Sequence, residues 1–423
     1  MDVATISLGA LLITIIVSCV TKIHVGFLAI TLAWVVGVYI AELSPNEVMA
    51  GFPTQLFLTL VGVTLLFCQA QANGTLDRIA HRAVRYCRGN VGVMPIMFFT
   101  LAFTLASIGP GNIASTALVA PMAMAVARQV GVPVFLMAIM VGNGANAGSL
   151  SPIAPTGVIV NGIMANVGLA GFEWHTYLNN FVAHALIALS AYFLFGGWRL
   201  LGQYHSEAVI VPTDNNTSSI DMTFSHSHWI TIGVIGTLIT SVIFFDVNVG
   251  FGAFGGAIIL RLFKAGDEIA AVNIMPWRVI MMVCGVTILI SILDRTGGLT
   301  LFTKLLAGIS TPESVTAVIA FSTGFISIYS STSGVVLPAM LSTVPGLVEQ
   351  LGGGVDSLAI ASSMNVGGHL VDMSPLSTLG ALCMAAAPAG EDTRALFNKL
   401  MAWSLSMTIV GAAICYLLFG LGS

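Results

Sequence analysis

Residues 146–157 read NAGSLSPIAPTG, a run of small residues with two prolines and only Leu150 and Ile153 as large apolar side chains. The chain around them has 423 residues, 57% hydrophobic and 8% charged, against roughly 25% charged in an ordinary soluble domain. That composition is the mark of an integral membrane protein. A helix that breaks at bilayer depth leaves amide and carbonyl groups unpaired, a costly arrangement unless they line a cavity or bind something. A second stretch, GGHLVDMSPLSTLG at 367–380, ends in a similar way. Reading the two together decides the fold.

Hydropathy at the roughly 20-residue length that crosses a bilayer gives ten spans, at 4–20, 25–42, 54–72, 133–167, 177–200, 229–245, 248–264, 277–294, 356–388 and 396–419. The fourth and ninth are long and discontinuous, with breaks read at 143–152 and 365–375. Two more apolar stretches, 91–130 and 313–348, are cut by GPGN at 109–112 and by YSSTSG at 329–334. Each reads as a re-entrant hairpin of two short helices meeting at a polar tip, or as a pair of ordinary spans with a tight turn. Both alternatives return the chain to its starting side. Asp2, rather than a basic segment, precedes the first span, which reads as retained rather than as a signal peptide.

A shift of 223 residues lays GVTLL (62–66) on GVTIL (285–289), Gly144 on Gly367, Ser151-Pro152 on Ser374-Pro375, and Gly157 on Gly380. The breakers coincide, not only the apolar filler. The chain therefore divides into two copies, 1–201 and 228–423, joined by a polar linker at 202–227 that lacks Lys and Arg. Each copy holds five spans and one hairpin; five is odd, so the second copy enters the membrane from the opposite side, as in the inverted repeats of secondary transporters. The expected fold class is an all-α polytopic membrane protein.

With the amino terminus outside, twelve of the fourteen Lys and Arg residues fall in the cytoplasm, and only Arg295 and Lys304 outside. This asymmetry orients the chain with both termini outside. The segment TLDRIAHRAVRYCRG (75–89) is too polar to cross and reads as an interfacial helix.

Free carbonyls at the two breaks can coordinate a hard cation such as Na⁺, while the amino-terminal ends of the following half-helices offer positive dipoles to an anion. Pro152 and Pro375 suit the first turn of those half-helices. The plainer alternative is that Gly and Pro only kink these helices for packing. The polar residues at tips and breaks include Ser107, Asn112, Ser115, Asn146, Thr156, Ser331, Thr332, Ser333, Ser377 and Thr378, all neutral hydrogen-bonding groups. No Lys or Arg is read at that depth. His369 and Asp372 stand out as coupling candidates, because ionisable groups deep in a membrane are costly. Asp372 reads as a cation ligand, a proton carrier, or a buried carboxyl bonded to His369 or to free amides; its counterpart in the first copy is Ser149. His184 reads as a packing residue. The six cysteines have no disulfide or zinc spacing, and no P-loop, dinucleotide fingerprint or hydrolase motif occurs. Neither an enzyme, a bound cofactor nor a nucleic-acid partner is expected.

Two hairpins, each followed by an interrupted helix in an inverted repeat, resemble the divalent anion/sodium symporter family of the ion transporter superfamily. GNGANAGSLSPIAPTGVIVNGIM (142–164), VGVTLLFCQAQANGTLDRIAHRAVR (61–85) and SIGPGNIASTALVAPMAMAVA (107–127) are especially similar to the MatC-type dicarboxylate (malonate) carriers of bacteria. The resemblance implies a homodimer in a bacterial plasma membrane, with scaffold spans at 1–72 and 229–294. It implies a moving transport domain built from the hairpins, the discontinuous helices 133–167 and 356–388, and spans 177–200 and 396–419. It also implies a small dicarboxylate at the tips, for which the candidate ligands among the polar residues are Asn112, Ser115, Thr156, Ser331, Thr332, Ser333, Ser377 and Thr378. Na⁺ beside it would engage Ser107, Asn112, Asn146, Gly148, Thr332, Gly368 and Asp372. The first tip, Gly111-Asn112, and the second, Ser331-Thr332-Ser333, depart from the Ser-Asn-Thr of better-known members, so only Asn112 and Thr332 carry over directly. Cation-coupled symport by an elevator movement is the expected function; proton coupling through Asp372 and His369, and an anion channel, are the alternatives.

Overall fold

The computed structural model describes residues 2–21, 23–84, 90–204, 223–245, 247–388 and 390–421. Most of the linker read at 202–227 lies outside these residues, as do Lys22, Arg85 and Arg88. Among the described residues the chain is helical, with no strand beyond an isolated bridge between Asn90 and Tyr204. It runs through α1 (Val3–Val20), α2 (Val25–Trp34), α3 (Pro45–Met49), α4 (Thr54–Ala72), α5 (Thr75–Val84), α6 (Val93–Ser107), α7 (Gly111–Val130), α8 (Val134–Ser149), α9 (Pro155–Asn166) and α10 (Glu173–Leu194). It continues through α11 (His226–Phe245), α12 (Val249–Leu262), α13 (Glu268–Ile274), α14 (Trp277–Arg295), α15 (Gly298–Gly308), α16 (Val315–Ser327), α17 (Leu337–Leu341), α18 (Val344–Gln350), α19 (Ser357–Leu370), α20 (Thr378–Ala385) and α21 (Thr393–Cys415).

Among the described residues, α4, α7, α10, α14 and the segment Thr393–Gly420 are each long and apolar enough to cross a bilayer. The segments Val315–Ser327 and Thr332–Gln350 together would make a sixth crossing, but they bend by 119° at their junction. The chain is a multi-pass membrane protein. Helix starts recur 223 residues apart at Thr54 and Trp277, Thr75 and Gly298, Val134 and Ser357, and Pro155 and Thr378. The short helices α13 and α15, which hydropathy did not single out, stand at the same offset from α3 and α5.

Helices from the two halves pack on each other through glycine. A Cβ on Gly62 of α4 would overlap the Gly250 carbonyl of α12, and one on Gly285 of α14 would overlap the Gly26 carbonyl of α2. Without side chains at these crossings the backbones approach closely and gain dispersion contact that lipid cannot supply. The remaining core forms two apolar clusters, one around Phe98, Met137 and Leu400, the other around Leu11, Leu289 and Leu341. Ala145 belongs to the first and Leu150 to the second, so the end of α8 lies on the seam between them.

The breaks differ from the sequence expectation. Helix continues through Ser149 and Leu370, and the non-helical segments are 150–154 and 371–377. The glycines read as breakers are packing sites: a Cβ on Gly144 would overlap the Phe99 carbonyl of α6, and one on Gly367 the Ala320 carbonyl of α16. Pro152 and Pro375 precede the half-helices instead of starting them, because the chain first makes consecutive turns. Ala154 donates its amide to Ser151 at 2.9 Å, and Ser374 and Ser377 do so to Val371 and Ser374 at 2.9 Å each. Pro155 takes the first position of α9. The unwound backbone thus satisfies part of its own hydrogen-bonding capacity.

Candidate functional site

The first tip is made by glycine. Gly109 at φ 137° and Gly111 at φ 78° occupy backbone regions that side chains disfavour, and they let the chain reverse between α6 and α7. The turn delivers Asn112 into the protein, 5% exposed. Its Nδ2 donates to Asn146 Oδ1 at 2.9 Å, while its Oδ1 lies 3.4 Å from the Thr156 hydroxyl and accepts the Ile113 amide at 3.0 Å. Asn146 is a junction. Its Nδ2 donates to the His369 carbonyl at 3.0 Å, and its own carbonyl receives Asn180 Nδ2 at 2.7 Å and the Ser149 hydroxyl at 2.8 Å. One asparagine therefore ties together α7, α8, α10 and α19, and its contact with residue 369 spans 223 positions.

The second tip is capped by Ser331, whose hydroxyl accepts the Gly334 amide at 3.2 Å. The next residue, Thr332, donates its hydroxyl to Asp372 Oδ1 at 2.6 Å; the same hydroxyl lies 3.4 Å from the Gly368 carbonyl oxygen. The Ser377 hydroxyl bonds to the carbonyl oxygens of Asp372 and, at 2.8 Å, of Ser374. His369 does not pair with the Asp372 side chain. Its Nδ1 faces the Asn365 carbonyl at 2.8 Å, an oxygen that only accepts, so Nδ1 carries the proton and the buried Nε2 has no hydrogen-bond partner among the described residues.

Both tips open on a pair of cavities of about 450 and 240 Å³. Asn112, Ile113, Pro276, Val279 and Ser333 line both, so the two are adjoining chambers. Ser331, Thr332, Asp372, Ser377 and Thr378 line the larger, and Thr156 the smaller. Of the residues expected to hold substrate, only Ser115 lines neither; it is buried and its hydroxyl has no partner among the described residues. The residues expected around a cation fall into two groups. Asn112 and Asn146 are directly bonded, with Ser107 packed against Gly148 and bonded to Phe103 and Tyr177 at 2.7 and 2.9 Å. Thr332, Gly368 and Asp372 form the other group.

Arg278, read as a base in a cytoplasmic segment, lines the larger cavity from the first turn of α14. It is exposed, and among the described residues it and Asp372 are the charged groups of that lining. Counting bases along the chain could not reveal this, because the start of α14 meets a tip more than 50 residues later. Asn180 was also missed, since a lone asparagine in an apolar span gives no sign of what it will face. His184 is bonded through Nδ1 to Asn143 Oδ1 at 2.9 Å, and its buried Nε2 has no partner among the described residues.

A site of neutral donors and acceptors, one carboxylate and one guanidinium suits reversible binding of an anion beside a cation. Among the described residues it contains no nucleophile held by a base. The fold is similar to that of the Alcanivorax borkumensis YdaH transporter, with 13% identity, TM-score 0.62, and coverage of 94% of this chain and 97% of that one. It is also similar to that of Neisseria gonorrhoeae MtrF, described among antimetabolite efflux pumps, with 11% identity, TM-score 0.58, and coverage of 90% and 84%. No curated protein sequence matches the chain. The proteins it is similar to are transporters and pumps, not enzymes. Residues 1–149, from α1 through α8, match the family described as the dicarboxylate carrier protein MatC N-terminus.

Proposed function

We propose that this protein is a secondary active transporter that couples uptake of a small dicarboxylate, such as malonate or a C4-dicarboxylate, to a cation, with Na⁺ as the coupling ion. The observation that carries the reading is the convergence of both tips and both broken helices on one pair of cavities, where Asn112 and Ser333 line both chambers. The larger chamber, at about 450 Å³, falls in the range of small-molecule sites. The similarity of residues 1–149 to a dicarboxylate carrier family supports the substrate class.

In this reading the halves are inverted repeats and the two helix–tip–helix units are re-entrant hairpins. α1–α4 and α11–α14 form the scaffold of a homodimer. α6–α10 and α16–α21 move as an elevator in a bacterial plasma membrane, with both termini outside. The test is uptake of radiolabelled malonate and succinate by proteoliposomes. Saturable uptake that collapses when the Na⁺ gradient is dissipated is expected, and uptake indifferent to both Na⁺ and proton gradients would sink the reading.

A proton-coupled variant draws support from Asp372, a carboxylate on the cavity wall that is 7% exposed and bonded to Thr332. Uptake driven by a pH gradient without Na⁺, and lost in Asp372→Asn, would favour it over Na⁺ coupling.

A further inference from the structure

One helix lines cavities at both of its ends. Arg278, in the first turn of α14, faces the tip cavity, and Asp294, in its last turn, faces a second cavity of about 450 Å³. Sixteen residues separate the two, about 24 Å along a helix axis at 1.5 Å per residue. That is close to the apolar thickness of a bilayer, so the two residues stand at opposite ends of a helix long and apolar enough to cross one. The charge of the two cavities differs as well. Among the described residues the second cavity is lined by Asp294 and Glu349 and by no Lys or Arg, whereas the tip cavity carries Arg278 beside Asp372.

The 223-residue offset makes the difference sharper. Gln55, in the first turn of α4, is the counterpart of Arg278; it is exposed, uncharged, and lines none of these three cavities. A guanidinium therefore stands at one mouth of the pathway and is not repeated at its counterpart. Arg278 forms no ion pair among the described residues, and Asp372, in the same lining, is held by Thr332. The planar fork of Arg278 is free to meet a carboxylate in a bidentate way, and its attraction for a dianion is twice that for a monoanion at equal distance.

We infer that Arg278 is a specificity-determining residue of the transport site, recruiting doubly charged carboxylates to the tip cavity and discriminating against singly charged ones. This rests on the transport reading above. An exposed charge is screened by salt, so the effect is largest at low ionic strength and shrinks as salt rises.

The experiment is equilibrium binding of radiolabelled malonate to the purified full chain, with propionate as the singly charged competitor, across a range of ionic strength. Arg278→Gln, which installs the residue of the counterpart position, is expected to weaken malonate binding about tenfold at low salt. It should also narrow the malonate-to-propionate preference and flatten the salt dependence. Arg278→Lys keeps the charge and loses the fork, so it should retain the salt dependence with intermediate affinity. Asp294→Asn, in the opposite cavity, should leave malonate affinity undiminished. Both Arg278 substitutions alter an exposed side chain, and equal melting temperatures will show that the fold is intact. Wild-type affinity and salt dependence in Arg278→Gln overturn the inference alone, as does an equal loss in Asp294→Asn. A wild-type protein that binds no dicarboxylate overturns the transport reading and this inference with it.

Discussion

The Thr332 hydroxyl donates to Asp372 Oδ1 at 2.6 Å, joining residues 40 positions apart and fastening the second tip to the second break. The bond holds the carboxylate at the cavity wall, where Ser331, Ser333 and Thr378 also stand. Valine has the shape of threonine without its hydroxyl, so Thr332→Val deprives a charged acceptor of its donor. Hydrogen bonds to charged groups are worth about 1.5–3 kcal/mol, which corresponds to roughly a 10- to 100-fold loss of apparent cation affinity. A Na⁺ titration of malonate uptake checks this, with Thr332→Ser close to wild type. An unchanged Na⁺ dependence in Thr332→Val would separate the bond from coupling.

Asn146 makes its contacts to Asn112 and His369 with a single amide group. Asn146→Ala leaves the Asn112 amide and the His369 carbonyl without these partners, and each stranded buried group costs about 1–3 kcal/mol. The melting temperature is expected to fall and transport to be lost. In a double-mutant cycle with Asn112→Ala, the two losses should fall short of additivity by at least about 0.5 kcal/mol, the mark of residues in one network. Strict additivity would show that the bond is energetically idle.

Gly157 and Gly380 face the carbonyl oxygens of Ser151 and Ser374, where a Cβ would overlap them. Gly157→Ala or Gly380→Ala forces the turn segment outward, at an expected cost of about 1–3 kcal/mol, with loss of transport. Gly255→Ala is the control, because nothing lies within 4 Å of its added methyl group. That substitution should be neutral or slightly stabilising in thermal unfolding, since alanine favours helix more than glycine does. Equal melting temperatures in all three variants would show that the turns yield freely.

His184 bonds Asn143 through Nδ1 and lines neither chamber of the tip site. His184→Leu removes that donor from Asn143 Oδ1, so the melting temperature should drop by an amount corresponding to about 1–3 kcal/mol. Substrate and Na⁺ affinities should stay within about twofold of wild type if the residue serves packing alone, because less than about 0.4 kcal/mol then reaches the site. A changed ion dependence would assign it a part in coupling.

Much was legible in the sequence because hydropathy and helix breakers are local signals. The apolar runs became helices, GPGN and YSSTSG fell where one helix ends and the next begins, and Ser-Pro at 151–152 and 374–375 fell in non-helical backbone. Glycine misled where its purpose was not local. Gly144 and Gly367 were read as part of the breaks, yet they lie inside helices, because a residue without a side chain can mark either an unwound backbone or a close crossing. Only the neighbouring helix distinguishes the two.

The sequence by itself determined that the chain lives in a membrane and roughly where two of its helices are interrupted, and it showed the same breakers recurring at an offset of 223 residues. Tertiary structure alone decided what the breaks face. It joined Asn112 to Asn146 and Thr332 to Asp372, left His369 apart from the Asp372 carboxylate, and brought Arg278 to the wall of the tip cavity. The physical reason is that composition and periodicity are summed along the chain, whereas a binding site is a meeting of side chains from distant segments. Which of them meet is set by how the helices cross.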